Sequence, residues 1–251
     1  MGTVSVKFSG RFGNNLFQYA AARIFARKHS LDLETPWPRK NWLSLSNLCY
    51  AVKTLTINQD IEIGDENFLE WMSKPSVDPA NYHLNGYFQY AQAYEPHRDW
   101  IQDAFQWPKA DAIEESEGVC MHVRLTDHGH GRLHLDPMWY VHILENLKFK
   151  TLSIVTDDPF AENYFEPFRK WDPHILNSPN AMDDFNWLRS HKTIVIGPSS
   201  FAWWAAFMGN ATKVFQWKRD QELPYIQYQL KSTPDRLVIP VDGKFLREVA
   251  R

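Results

Sequence analysis

The stretch IVIGPSSFAWWAAFMGN, from Ile194 to Asn210, contains a strand, a turn and a helix in immediate succession. Its first residues are apolar and mostly β-branched, a Gly-Pro pair then breaks the strand, and an apolar helix follows. Ser199 or Ser200 can cap this helix, because a side-chain oxygen there accepts an N–H group of the first turn. The remaining N–H groups of that turn, together with the helix dipole, form a natural seat for a phosphate.

The same alternation of strand and helix runs through the second half of the chain. Strands are predicted at Val119–Val123, Leu152–Val155, His174–Leu176, Thr193–Ile196 and Lys213–Phe215. Helices are predicted at Pro137–Leu147, Pro159–Trp171, Ala181–Ser190 and Ser200–Met208. This alternation predicts an α/β fold with a parallel sheet and helices on both faces.

The first half of the chain is less regular. Strands are predicted at Thr3–Phe8, Leu31–Leu33 and Tyr82–Leu84, with a weaker one at Val52–Ile57. Helices are predicted at Asn15–Lys28 and Glu66–Met72, and a further one ends near Phe105. The charged, proline-containing segment from Trp107 to Gly118 is the best candidate linker, so the predicted domains are residues 1–112 and 113–251.

Bulk properties exclude several classes of protein. The net charge of −3 and the scattered Lys and Arg residues give no basic field for nucleic acid. No apolar run approaches the roughly 20 residues that cross a bilayer, and strand-like sequence begins at Thr3 without a signal peptide, so a cytoplasmic location is expected. Cys49 and Cys120 have no CxxC partner, which disfavours a disulfide framework. The 11 Trp residues suit a sugar-binding protein, although most are expected in the core.

A glycine-containing loop precedes the first predicted helix, in FSGRFGNNLFQYAAA from Phe8 to Ala22. The glycines supply the turn, and Asn14 or Asn15 is predicted to cap the helix. A dinucleotide fingerprint needs GxGxxG, and only GxxG is present here. The loop alone therefore does not predict a phosphate site.

Polar residues follow two strands of the second half. VCMHVRLTDHGHG places His122 and Arg124 at a strand end and Asp127 in the next loop, where a surface ion pair between Arg124 and Asp127 is the alternative. IVTDDP places Asp157 and Asp158 after a buried strand, where capping of a helix at Pro159 is the alternative. Ligands of open parallel sheets bind at the carboxyl ends of strands, so this set of residues favours a charged nucleotide.

Five segments resemble, in order and spacing, the motifs of glycosyltransferase family 11, the α1,2-fucosyltransferases. They are GRFGNNLFQYAAA, NGYFQYAQAYE, HVRLTD, IVTDDP and GPSSFAWWAAFMG, and they cover roughly residues 4–217. Three of the five segments, HVRLTD in particular, also resemble the α1,6- and protein O-fucosyltransferases, which share the same donor. The resemblance implies a GT-B-like fold: two facing Rossmann-like domains with the active site in the cleft between them. It also implies inverting transfer from GDP-fucose, held by residues 113–251, with no metal or other cofactor.

The resemblance carries over specific residues. Arg124 is expected to bind the β-phosphate, and the expected catalytic residues are Arg124, Asp127 and His122. The expected GDP-fucose contacts are Arg11, Phe12, Gly13, Asn14, Asn15, His122, Arg124, Asp157, Asp158, Ser199, Ser200 and Phe201. The expected acceptor-side residues are Tyr87, Gln89 and His130. This chain has Leu125 in place of the second Arg of the HxRRxD motif, and Pro198 and Ala202 in place of Asn and Ser.

The partners expected from the resemblance are GDP-fucose and a galactose-terminated oligosaccharide or glycolipid, with membrane contact only through a lipid-linked acceptor. Asp127 is the favoured base, with His128, His130, His134 and Asp136 as alternatives in the same loop. Two other functions stay open. A metal-dependent glycosyltransferase would use Asp157 and Asp158 around Mg²⁺ or Mn²⁺. A non-catalytic glycan- or nucleotide-binding module would explain Leu125.

Overall fold

Two parallel β-sheets, each in its own unit of the chain, organise the structure. A computed structural model describes residues 2–34, 59–105, 118–126, 135–218, 226–227 and 229–242. Unit 1 comprises Met1–Pro108 and Leu223–Tyr228, and unit 2 comprises Lys109–Glu222 and Gln229–Arg251. The domain boundary predicted between residues 112 and 113 lies outside the described residues and stays a prediction.

Unit 1 is built on a four-stranded parallel sheet. Its strands are β1 (Thr3–Val6), β2 (Asp32–Glu34), β3 (Asp60–Ile63) and β4 (Asn81–Leu84), in the spatial order β2-β1-β4-β3. Its helices are α1 (Phe12–His29), α2 (Asp65–Ser73), α3 (Ala91–Tyr94) and, after a 3₁₀ turn at Glu95–His97, α4 (Arg98–Ala104). The short strand β5 (Gln89–Tyr90) pairs in parallel with β11 (Ile226–Gln227), which the chain supplies much later.

One face of the unit 1 sheet carries the core of that unit. Val4 and Val6 of β1 are buried, whereas Ser5 between them is partly exposed, as the two-residue period of a strand requires. Phe25 of α1 packs edge-on against Tyr82 of β4, with the ring centroids 5.3 Å apart. The apolar face of α1 therefore covers the central strands of this sheet.

Unit 2 is built on a six-stranded parallel sheet. Its strands are β6 (Gly118–Val123), β7 (Thr151–Thr156), β8 (His174–Leu176), β9 (Thr193–Ile196), β10 (Lys213–Lys218) and β12 (Leu237–Asp242), in the spatial order β12-β10-β9-β6-β7-β8. Its helices are α5 (Pro137–Glu145), α6 (Glu162–Phe165) with a following 3₁₀ helix (Glu166–Trp171), α7 (Ala181–Ser190) and α8 (Ser200–Met208).

The core of unit 2 lies around its central strands. Every residue of β6 is buried, as expected of a strand with neighbours on both sides and helices on both faces. Trp203 and Trp204 of α8 are both fully buried, so both serve packing. Pro240 lies in β12 at the sheet edge, where the missing N–H costs no ladder bond.

The α/β class predicted from the alternating pattern is confirmed, with differences in the elements. α1 begins at Phe12 rather than Asn15, and the helix predicted over Pro159–Trp171 is instead a short helix and a 3₁₀ helix. Pro167 explains the break, because a proline inside a helix removes a hydrogen bond and clashes with the preceding turn. The strand predicted at Val52–Ile57 lies outside the described residues. Strands β3, β5, β11 and β12 were not predicted.

Within the described residues, no helix is both long enough and apolar enough to cross a membrane.

Candidate active site

The order of the strands in unit 2 defines a switch point between β6 and β9. From β6 the chain proceeds outward through β7 and β8, and then returns to place β9 against the other side of β6. Helices on opposite faces separate at such a point, so ligands of open parallel sheets bind there, outside the carboxyl ends of the strands. Arg124 follows β6 at this edge, and Gly197 to Ser199 follow β9.

The turn after β9 presents the N-terminus of α8 at the switch point. Ser199 is the N-cap residue: its buried Oγ accepts the N–H of Ala202 at 3.4 Å, which confirms that a serine caps this helix. Ser200 and Phe201 form the start of the first turn. A helix N-terminus carries partial positive charge, so this edge favours an anion.

Tyr140 of α5 joins the ends of the two switch-point strands. Its hydroxyl donates to the backbone carbonyl of His122 at 3.0 Å, and a Cβ added at Gly197 would lie 2.7 Å from the same hydroxyl oxygen. Burial raises the pKa of Tyr140, so its hydroxyl keeps the proton that it donates. Gly197 is therefore required for close approach between the β9 turn and α5.

The three residues after β6 have different surroundings. Arg124 is partly buried, Leu125 is buried in the core of unit 2, and Thr126 is exposed. Leu125 thus contributes packing at the position where the resembled family has its second Arg. His122, in β6 itself, is buried with its ring 5.4 Å from that of Phe201. The structure therefore brings these two predicted site residues together beneath the sheet edge.

Asp157 fixes the loop that carries Arg124. Its Oδ1 accepts the backbone N–H of Leu125 at 2.7 Å and that of Thr126 at 3.3 Å, and its Oδ2 accepts the Thr126 hydroxyl at 2.5 Å. Hydrogen bonds that N–H groups donate to an ionised carboxylate are about twice as strong as hydrogen bonds between neutral groups. Asp157 therefore connects the end of β7 to the loop after β6.

Asp158 has a local role in its own turn. It accepts the N–H of Phe160 at 3.1 Å, and its own N–H donates to the hydroxyl of Thr156 at 3.2 Å. The alternative that Asp157 or Asp158 caps a helix at Pro159 is wrong, because α6 begins only at Glu162. The prediction that these two carboxylates contact GDP-fucose stays a prediction.

Unit 1 has a switch point of its own, between β1 and β4. β2 lies on one side of β1, while β4 and then β3 lie on the other. The loop after β1 contains the GRFGNN segment, and the loop after β4 contains GYFQ. Two motifs that are distant in sequence therefore follow neighbouring strands at one sheet edge.

Asn14 connects these two loops and Asn15 braces the loop after β1, and neither caps α1. The helix begins at Phe12 with Arg11 at its N-cap and no side-chain capping bond, so the capping prediction is wrong. The Asn15 amide donates to the carbonyl of Ser9 at 2.9 Å. Asn14 Oδ1 accepts the buried amide of Gln89 at 2.8 Å, which links the first motif to GYFQ.

Gly10 supplies the unusual backbone of this turn. Its φ is 74°, and a Cβ there would lie 2.2 Å from the amide nitrogen of Asn14. Gly13 lies within the first turn of α1, where no positive φ is needed. The positive φ that only a glycine adopts easily is therefore needed at Gly10 and not at Gly13.

Gln18 and Asp65 complete the unit 1 site and were not predicted from the sequence. The fully buried amide of Gln18 donates to the Ser9 hydroxyl at 2.9 Å and to the carbonyl of Gly86 at 2.8 Å. Asp65 accepts the N–H of Tyr87 at 2.9 Å and that of Phe88 at 2.6 Å. The sequence feature that could have indicated Gln18 is its place as a polar residue on the apolar face of a helix.

Several predicted residues have no described surroundings. Asp127, His128, His130 and His134 lie in 127–134, outside the described residues. Asp136 is described, and it caps α5 by accepting the N–H of Met138 at 2.8 Å. Among the described residues, no group of three or more His, Cys, Asp or Glu side chains is placed to hold a metal ion.

Comparison with known proteins finds likeness in structure only. No protein-family model and no curated protein matches this chain. Among solved structures, a variant of Arabidopsis thaliana FUT1 in complex with GDP is 11% identical, with 87% of this chain and 71% of that chain covered and a TM-score of 0.50. NodZ α-1,6-fucosyltransferase soaked with GDP-fucose is 14% identical, with 83% and 92% covered and a TM-score of 0.50.

A third match is weaker. E. coli heptosyltransferase WaaC with ADP is 10% identical, covers 100% of this chain and 99% of that chain, and has a TM-score of 0.47. At these identities the first two matches show the fold alone. With the two parallel sheets, they confirm the GT-B-like α/β fold class.

Proposed function

We propose that this protein is an inverting fucosyltransferase that moves L-fucose from GDP-fucose to a galactoside hydroxyl. O2 of a terminal galactose is the favoured acceptor atom, which gives an α1,2 linkage. The observation that carries the proposal is the position of Arg124 and of the α8 N-terminus at the ends of neighbouring strands, at the switch point of unit 2. The two solved structures that share the fold are a fucosyltransferase in complex with GDP and a fucosyltransferase soaked with GDP-fucose, which supports this choice of donor.

The proposed reaction develops negative charge that Arg124 and the N-terminus of α8 can stabilise. The acceptor oxygen attacks the anomeric carbon of fucose while the bond from that carbon to the β-phosphate oxygen breaks. GDP departs with the electron pair of that bond, so negative charge develops on its β-phosphate. The planar guanidinium of Arg124 can donate to two phosphate oxygens, and the α8 dipole adds a second source of positive potential. Donors that are fixed beforehand avoid reorganisation during the reaction.

Hydrogen bonds fix both the loop that carries Arg124 and the start of α8. Asp157 holds the backbone after β6, and Ser199 caps α8. Leu125 is part of the hydrophobic core, so the replacement of the family's second Arg leaves a packed loop. We propose that Arg124 supplies the side-chain cation at the position directly after β6.

The acceptor hydroxyl must lose its proton to a base. We propose Asp127, three residues after Arg124, with a histidine of the same loop as the competing base. A histidine base would make the rate fall below about pH 6.5, where imidazole becomes protonated. If that fall persists in Asp127→Asn and disappears in His130→Ala or His134→Ala, the base is the histidine.

We propose that transfer requires no metal ion. The carboxylate of Asp157 already accepts two backbone N–H groups and a hydroxyl, which leaves it poorly suited to hold Mg²⁺ or Mn²⁺. The rate of transfer in EDTA should equal the rate without it. Loss of activity in EDTA and recovery with Mg²⁺ or Mn²⁺ would establish a metal-dependent transferase instead.

One experiment tests donor, acceptor and linkage together. The protein is incubated with GDP-fucose and a panel of β-galactosides, GDP release is measured, and the linkage in any product is determined by methylation analysis. We expect GDP release that depends on the galactoside and fucose on O2. Calorimetric binding of GDP without GDP release for any acceptor would establish a binding module instead of an enzyme.

A further inference from the structure

The loop Gly86–Phe88 is held by hydrogen bonds to its backbone. Gln18 donates to the carbonyl of Gly86, and Asp65 accepts the N–H groups of Tyr87 and Phe88. The carbonyl of Phe88 accepts the N–H of Tyr90 at 2.9 Å. The loop conformation is therefore set by partners on α1, on α2 and in its own turn.

Phe88 has a backbone conformation that needs this support. Its φ is 53°, in the left-handed region that is costly for a bulky residue. Its fully buried ring packs 4.8 Å from that of Phe68 in α2, and its carbonyl accepts the Tyr94 hydroxyl at 2.5 Å. Burial raises the pKa of Tyr94, so that hydroxyl stays protonated and remains a donor.

Tyr87 is the residue that this loop presents to solvent. Tyr87 is 39% exposed, whereas Phe88 and Gln89, which follow it, are buried. The Gln89 amide is committed to Asn14, so Gln89 supports the loop from below. A tyrosine offers a flat apolar face and a hydroxyl, and the ring of a hexopyranoside offers a face of C–H groups edged by hydroxyls.

We propose that the acceptor hexopyranoside stacks on Tyr87 and that Asp65 is the positioning residue that holds Tyr87 in place. This inference rests on the proposed function, because it assigns the sugar acceptor to the unit 1 switch point. Asp65 acts through the backbone of Tyr87 and Phe88 rather than by touching the acceptor. Its loss should weaken acceptor binding and leave donor binding unchanged.

The first test is Asp65→Asn, which preserves shape but removes the negative charge and replaces the oxygen that accepts the N–H of Tyr87 at 2.9 Å by an N–H₂ group, so that a donor faces a donor. We expect KM for the galactoside to rise about tenfold, while KM for GDP-fucose stays within twofold. Asp60→Asn is the matched control, because Asp60 lies at the opposite, amino end of β3 and its side chain is exposed. Equal changes in both KM values, or no change in either, would overturn the assignment of Asp65.

The second test leaves the backbone bonds intact and so remains valid if Asp65→Asn fails to fold. Tyr87→Ala should raise KM for the galactoside about tenfold, and Tyr87→Phe, which keeps the ring, should stay within twofold. Leu237→Ala is the control for loss of an exposed apolar side chain, because Leu237 begins β12 at the amino edge of the unit 2 sheet. Wild-type KM in Tyr87→Ala would overturn the stacking proposal.

A binding measurement separates failure of this inference from failure of the proposed function. Saturation-transfer NMR with methyl β-galactoside requires neither donor nor turnover. If the wild type transfers no fucose but gives a saturation-transfer signal that Tyr87→Ala removes, the sugar site is upheld and the fucosyltransferase is not. If the wild type is active and Tyr87→Ala leaves the signal unchanged, the function is upheld and the sugar site is rejected.

Discussion

Asp65 in unit 1 and Asp157 in unit 2 occupy corresponding places in the two sheets. Each follows a strand next to a switch-point strand, and each accepts backbone N–H groups from the loop after that neighbour. What the held loop presents is different. In unit 1 it presents the uncharged ring of Tyr87, whereas in unit 2 it carries Arg124, at the sheet edge where α8 begins.

In both units the carboxylate holds the loop, and the side chain that the loop carries decides what it can bind. A carboxylate that binds neighbouring backbone N–H groups stiffens a loop whatever side chain the loop carries, so the same device suits a neutral sugar and a diphosphate. In the proposed reaction, the positive charge that faces the leaving group comes from Arg124 and the N-terminus of α8, both in unit 2. Single substitutions in each unit test whether one site serves the donor and the other serves the acceptor.

Arg124→Ala should have the largest effect. Loss of one donor to a developing anion lowers kcat by about 10² or more, so we expect kcat to fall by at least that factor in a protein that remains folded, as circular dichroism can verify. Arg169→Ala is the control, because Arg169 is an exposed arginine of unit 2 that pairs with Glu166 at 2.8 Å. Turnover of Arg124→Ala within a few-fold of wild type, in a folded protein, would remove Arg124 from the mechanism.

Gly10→Ala should destabilise the turn after β1. The positive φ of Gly10 is strained for alanine, and the new Cβ would displace the Asn14 amide from Gln89, so we expect a loss of about 1–3 kcal/mol in unfolding free energy. Urea denaturation measures the loss. The double variant Gly10→Ala/Asn14→Ala separates the two causes when its unfolding free energy is compared with that of Asn14→Ala. If the double variant is only slightly less stable than Asn14→Ala, the contact with Asn14 matters more than the backbone angle.

Asp157→Asn should be the counterpart of Asp65→Asn. The loop carrying Arg124 loses its anionic acceptor, so we expect KM for GDP-fucose to rise about tenfold while KM for the galactoside stays within twofold. Asp172→Asn, at an exposed position of unit 2, should change neither. If Asp157→Asn alters the galactoside KM instead, the two carboxylates do not serve separate substrates.

Ser199→Ala should have the smallest effect. It removes the capping bond of α8, and loss of a cap typically costs about 1 kcal/mol of stability, which thermal denaturation can measure. Ser178→Ala is the matched control in unit 2, because Ser178 bonds to Asp184 through its backbone N–H, which the substitution keeps. A loss of stability in Ser178→Ala as large as in Ser199→Ala would contradict the capping role of Ser199.

The sequence predicted the features that depend on local pattern. Strand and helix alternate by a change of hydrophobic period that can be read within a few residues, and a serine after a Gly-Pro pair indicates a cap. The helix expected over Pro159–Trp171 was wrong because Pro167 outweighs its apolar spacing. Local signals were therefore reliable for most strands and helices, but they failed at Pro167, at the edge strands and at the start of α1, where neither Asn14 nor Asn15 caps the helix.

The roles of Asp65 and Asp157 could not be predicted in the same way. Each bonds to backbone N–H groups of residues more than 20 positions away in the chain, and such contacts carry no sequence signal on the partner side. Nor could the left-handed Phe88 be predicted, because its conformation is imposed by burial of its ring and by bonds to its neighbours. Long-range contacts of this kind decide how a loop presents a side chain.

The pairing of β5 with β11 has a consequence for synthesis of the protein. Gln89 and Tyr90 find their partner strand in Ile226 and Gln227, so unit 1 is completed only after most of unit 2 has left the ribosome. A fragment that stops after unit 1's first 108 residues would leave β5 as an unpaired edge, available for another chain. We expect such a fragment to associate more readily than the whole chain, because the backbone groups of β5 lack their partner. That partner strand is encoded downstream of five strands of the other unit.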